Sequence, residues 1–189
     1  MRSSMRVLAK EHLALRALAR IIALEAELLS RDGRADLDLL QDIAAYISEF
    51  PNRIHHPKED DFLFRHMRAR DSARCAAIID RLQSEHQKED ESIARFLVAL
   101  QALRAGAPGA AEDLAEVAAG YARHLLGHIE AENSLVFPLA EEVLQDEDWV
   151  EIDAAFAAND DPLVGGQPGA RFSDLHRRIM AIGALPPGL

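Results

Sequence analysis

Apolar positions recur along this chain at steps of three and four, in long stretches separated by a few sharp interruptions. From about Met5 to Ser30, Leu8, His12, Leu15, Ala19 and Ile22 share one helix face. RDGRAD breaks the pattern, with Gly33 as a stop and Asp36 as the N-cap of the next helix. A second helical stretch runs from Asp36 to about Ala69 and contains Pro51 and Pro57. Proline removes a backbone hydrogen bond and collides with the preceding turn, so a break is expected near Phe50 and Pro51, with Pro51 opening a new segment. A third stretch covers about Asp71 to Leu103, AGAPGA (105–110) reads as a loop, and a fourth covers about Ala111 to Gln145. Asp148 and Glu151 have the spacing of a capping box and predict a short helix ending near Ala158. NDDPLVGGQPGA reads as loop, and a last helix is expected over Phe172 to Ile182. Four long helices with short connections predict an all-α fold, an up-down-up-down antiparallel four-helix bundle over residues 1–147, with residues 148–189 as a C-terminal helical extension.

Composition sharpens this picture. Ala and Leu dominate while aromatics are few, which favours helices because β-branched and aromatic side chains lose rotamer freedom there. The net charge of −11 opposes binding to nucleic acid or to an anionic membrane surface. No run approaches the roughly 18 apolar residues of a membrane span. The start, MRSSMRVLAKEH, lacks a long apolar leader, so a cytoplasmic location is expected. Cys75 is the single cysteine, which excludes an intramolecular disulfide, a dithiol redox pair and a cysteine-based zinc site.

The chain also repeats itself. Glu-His occurs at 11–12 and at 85–86, and the steps from His12 to His55 and from His86 to His128 are nearly equal. His55 is followed four residues later by Glu59, and His128 by Glu132. Asp60 then answers Asn133, Phe62 answers Leu135, Leu63 answers Val136, and Phe64 answers Phe137. Each half is a helix with one histidine, then a helix with His-x-x-x-Glu and an apolar patch. Two such halves packed about an approximate two-fold axis bring four histidines and two glutamates into one interior layer.

Residues four apart lie one turn apart on one helix face, so the imidazole and carboxylate of His-x-x-x-Glu point at the same region. Buried carboxylates are costly unless a positive charge neutralises them, and no Lys or Arg holds a neighbouring same-face position. The arrangement therefore asks for cations. The count suits two ions, each with two imidazoles and a share of two bridging carboxylates. Imidazole and carboxylate suit iron, and also manganese or zinc.

EH at 11–12, HHPKEDDFLF at 55–64, SEH at 84–86 and HIEAENSLVFP at 128–138 resemble the four ligand-bearing segments of the hemerythrin HHE cation-binding family. The resemblance covers roughly residues 7–145. It implies a four-helix bundle with a non-haem di-iron centre, and ligand roles for His12, His55, Glu59, His86, His128 and Glu132. DWVEIDAAFAANDDPL (148–163) looks like a tail of some bacterial members. Oxygen-carrying hemerythrins have a histidine where this chain has Asp90, and an aspartate at a different spacing from Glu132. The chain is more similar to the His/Glu-symmetric branch, which includes iron–sulfur repair proteins, although their cysteine-containing N-terminal domain has no counterpart in these residues.

Other candidates take lesser roles in this reading. His56 and Asp60 are rotated about 100° from the main pair in an ideal helix, so a solvated or supporting role is expected unless Pro57 shifts the phase. His124 is expected to line the bundle near the site, His66 to mark a bundle end, and His176 to lie on the surface. Tyr121 reads as packing with a hydrogen bond near the site as the alternative, Cys75 as a buried thiol, and Asp90 as a supporting group. The expected function is binding of metal, and of oxygen, nitric oxide or peroxide, at an open iron position. A di-iron enzyme of peroxide or nitric oxide reduction or of iron donation for repair, fed by an external electron donor, is one alternative. A helical interaction module with a zinc-filled or vestigial site is the other.

Overall fold

The computed structural model describes residues 2–158, 161–163 and 170–181, and among these every regular element is helical. α1 (Ser3–Asp32) buries Leu8, Leu15, Leu18, Ile22 and Leu29 at helical spacing. It ends where Gly33 turns left-handed (φ 65°) and its N–H closes on the Leu29 carbonyl at 3.0 Å. α2 (Leu37–Glu49) starts on Asp36, whose carboxylate accepts the Leu39 N–H at 3.0 Å. A π-helical turn (Pro51–His55), α3 (His56–Lys58), a second π turn (Glu59–Phe64) and α4 (Arg65–Arg70) come next without a gap. α5 (Ser72–Arg104) is capped by Asp71, which accepts the Arg74 N–H at 3.1 Å. Left-handed Gly106 and Gly109 (φ 72° and 76°) turn the chain into α6 (Ala110–Ala131), a third π turn (Glu132–Val136) and α7 (Phe137–Val143). α8 (Asp146–Ala157), a 3-10 turn (Ala170–Phe172) and α9 (Ser173–Ala181) complete the described chain.

Two expectations change in detail. The fourth arm ends at Val143, because Leu144 is extended (ψ 145°). The capping box belongs to Gln145 and Asp148: Asp148 is the third helical residue and accepts the Gln145 N–H at 2.8 Å, rather than acting as the cap itself. The expected end of the last helix at Ile182, and most of NDDPLVGGQPGA, lie outside the described residues.

Two of the three π turns have a covalent cause. A proline ring collides with the carbonyl four residues earlier. For Pro57 that carbonyl belongs to Arg53, inside the first π turn; for Pro138 it belongs to Ser134, inside the third. Widening the backbone there relieves the collision, as when the His55 N–H reaches back five residues to Phe50 (3.3 Å).

α1 packs along α6, α6 along α5, and α5 against α2, while α8 lies on α1. Two apolar cores result. The larger holds Leu15, Leu18, Ile22, Ile43, Phe96 and Leu114, among others. The second holds Leu8, Leu63, Phe64, Leu82, Val136 and Phe156, among others. Every long arm passes from one core to the other, and where it crosses it carries buried polar side chains. The site lies in that layer.

Candidate metal centre

α1 contributes Glu11 and His12 to the layer; the π-turned stretch after α2 contributes His55, His56 and Glu59; α5 contributes Glu85, His86 and Glu89; α6 and the turn after it contribute His128 and Glu132. Glu59 and Glu132 are fully buried. None of their four carboxylate oxygens has a hydrogen-bond partner. Imidazole nitrogens surround them at a stand-off. His55 Nε2 is 3.4 Å from Glu59, His12 Nε2 is 3.4 Å from Glu132, and His128 Nε2 is 3.3 Å from Glu132. His86 Nε2 is 3.8 Å from each glutamate, and His12 Nε2 is 3.8 Å from Glu59. Two donors each about 2.1 Å from a shared ion stand roughly 3.0–3.4 Å apart, so these gaps suit atoms facing a common cation. The six residues expected from the sequence therefore converge on one region.

The far side of each ring is held. His55 Nδ1 pairs with Glu11 at 2.7 Å and His128 Nδ1 with Glu85 at 2.8 Å. His86 Nδ1 pairs with Asp60 at 3.1 Å and His12 Nδ1 with Asn133 at 3.2 Å. Such partners fix ring orientation and leave Nε2 aimed inward. Sequence reasoning did not name them, yet the signal was present: Glu11 and Glu85 occupy matching places in the repeat, as do Asp60 and Asn133.

Protonation in the layer is strongly split. Burial, with Glu132 opposite, pushes the Glu59 carboxyl well above the usual carboxylate range. Burial also opposes charge on Glu132, but His128 beside it, with His86 and His12, holds it well below that range. Burial opposes charge on His128 too, and Glu132 and Glu85 overcome this to raise it to about 10. Burial lowers His12 to about 4. Two ionised glutamates thus coexist here only when positive charge stands between them.

His56 departs from expectation. It is buried, its ring stacks on His86 at 4.2 Å between centroids, and its Nδ1 has no partner. His56, His86 and His128 bring ring nitrogens within 4.8 Å of one another, as His12, His55 and Glu59 bring their ligand atoms. The π turn before it supplies the phase shift that turns two successive residues inward. Tyr121 donates a hydrogen bond to buried Glu89, a carboxylate the sequence reading passed over for Asp90. Asp90 is exposed and accepts from Asn52 at 2.9 Å. His124 is exposed, with its ring 6.4 Å from that of His128. His66 meets Asp148 and Glu151 at 3.2 and 2.8 Å, away from the layer. His176 is half-buried rather than on the surface, with Nδ1 2.8 Å from the Leu163 carbonyl oxygen. Cys75 is buried. Among the described residues no helix is long and apolar enough to cross a membrane.

The family model described as hemerythrin HHE cation binding domain matches residues 4–140. No curated protein and no solved structure matches the chain. That span encloses every residue of the polar layer and most of the chain, and the chain belongs to the hemerythrin HHE cation-binding family.

Proposed function

We propose that this protein holds two iron ions in the polar layer and uses an open position on them to bind oxygen, nitric oxide or peroxide. His12 and His55 would hold one ion, His86 and His128 the other with His56 beside them, and Glu59 and Glu132 would serve both. What supports this above all is the set of four buried, unpartnered carboxylate oxygens facing ring nitrogens, since leaving such groups unsatisfied is strongly unfavourable. Imidazole and carboxylate donors suit iron, with manganese or zinc as the chemical competitors. Bound iron would supply a redox-active Lewis acid with room for an exogenous ligand. We read the arms as an up-down-up-down four-helix bundle with two-fold internal symmetry, because they cross the layer in alternating directions. Residues 1–147 would form the metal-binding unit and 148–189 an extension that covers it. The single buried thiol suits a cytoplasmic setting.

Metal analysis of protein purified without added metal tests this. Two irons per chain are expected, with an absorption band from an oxygen-bridged iron pair. Glu59→Ala or Glu132→Ala should lose metal while His176→Ala retains it, and equal metal in all three would defeat the assignment. Catalytic turnover at the same centre is the second reading, favoured by the buried Glu89–Tyr121 pair: Glu89 lines a small cavity with His56, His86 and His128. Mixing the reduced protein with oxygen or peroxide separates a stable adduct from turnover by an external donor.

A further inference from the structure

Resting on the two-ion reading above, we propose that the two metal positions are unequal, and that Asn133 makes the position at His12 the weaker, last filled and first emptied. The repeat places a partner behind each of four imidazoles. Three are carboxylates: Glu11 behind His55, Glu85 behind His128, and Asp60 behind His86. The fourth, behind His12, is the amide of Asn133. Asn133 stands where Asp60 stands in the other half, so the repeat itself shows which charge is missing.

A carboxylate that accepts the Nδ1 proton raises electron density at Nε2 and offsets part of the cation's charge. A neutral amide fixes the ring but does little of either. Losing such a partner typically costs 10–100-fold in metal affinity.

The surroundings act in the same direction. His12 and Asn133 border a surface pocket of about 380 Å³ that also holds Arg16, paired with Glu130. The paired Arg16 and Glu130 add no net charge on this side, and the opening gives an ion a way out. On the other side stand Asp60, Glu85 and Glu89. The repeat also differs there: His56 occupies the place that Ile129 takes in the second half, which adds an imidazole next to His86. A chain with one tight and one labile ion would respond to metal supply over a range that a symmetric site would not cover. Asn133 is a positioning residue in this account: it touches the ring, not the ion.

The test uses Zn(II) as a redox-silent probe, titrated into the full chain against a chromophoric chelator. Wild type should fill in two resolved steps. Asn133→Asp should tighten the second step by about 10-fold or more while leaving the first in place. Asp60→Asn should weaken the first. Asn133 is only half-buried, so the new carboxylate is tolerated, and matching melting temperatures of the metal-free proteins would confirm intact folds. A gain in affinity is a readout that mere structural damage does not produce. Two equal steps in wild type, or a second step unmoved in Asn133→Asp, would overturn the inequality and leave the two-ion site standing. Fewer than two ions bound under saturating Zn(II) would overturn the two-ion reading and this inference with it.

Discussion

Glu59 and Glu132 share a layer yet carry opposite protonation preferences, and this governs how the site exchanges protons for metal. Without a cation, Glu59 keeps its proton far above the usual carboxylate range, and His128 keeps its own up to about 10. His128 is therefore protonated at neutral pH, and burial favours the protonated form of Glu59 as well. A metal ion needs an ionised carboxylate and a neutral Nε2, so it must displace those protons. Loading thus releases protons, and affinity rises with pH until about 10, where His128 gives up its proton unaided. Calorimetric titration at pH 7 in buffers of different ionisation enthalpy should show net proton release, and heats independent of the buffer would contradict it.

At the scale of the element, the unusual feature is the π turn from Pro51 to His55. An ideal helix advances about 100° per residue, so the extra residue sets the facing of His55, His56 and Glu59 relative to α2. α2 is pinned by Leu40, Ile43 and Ile47 in the larger core and is not free to rotate in response. Deleting exposed Arg53 would convert the wide turn to a normal one and swing the ligand-bearing stretch off the layer. Helical circular dichroism should persist while bound metal falls to half or less. Full metal content in the deletion would show that the turn does not set the site.

For the whole molecule, α8 is part of the core that closes one side of the layer. Trp149, Ile152 and Phe156 are buried with Leu8, Leu63, Leu82 and Val136. Asp148 anchors the start of α8 to Arg70 at 2.7 and 3.0 Å, and that guanidinium holds its carboxyl below the ordinary value. Phe156→Ala should lower unfolding free energy by about 3–5 kcal/mol, because it leaves a cavity in a closed core. Urea denaturation of the metal-free protein measures this. Metal stoichiometry should not change, since Phe156 belongs to the core and not to the layer. A loss below about 1 kcal/mol would mean that α8 is not part of the folding unit.

The linear sequence by itself determined the long helices, the cap at Asp36, and the six residues that meet in the layer. Apolar spacing, left-handed glycines and an internal duplication are local or periodic, and such signals survive without coordinates. Only the tertiary structure decided the facing of His56, the partners behind each ring and the burial of Glu89. Those depend on how far a helix is unwound at a proline and on which side chains meet across packed helices. An ideal-helix phase count cannot register one extra residue in a turn, and although the repeat marks Glu11 and Glu85 as equivalent, which ring each one meets more than forty positions away is decided by packing.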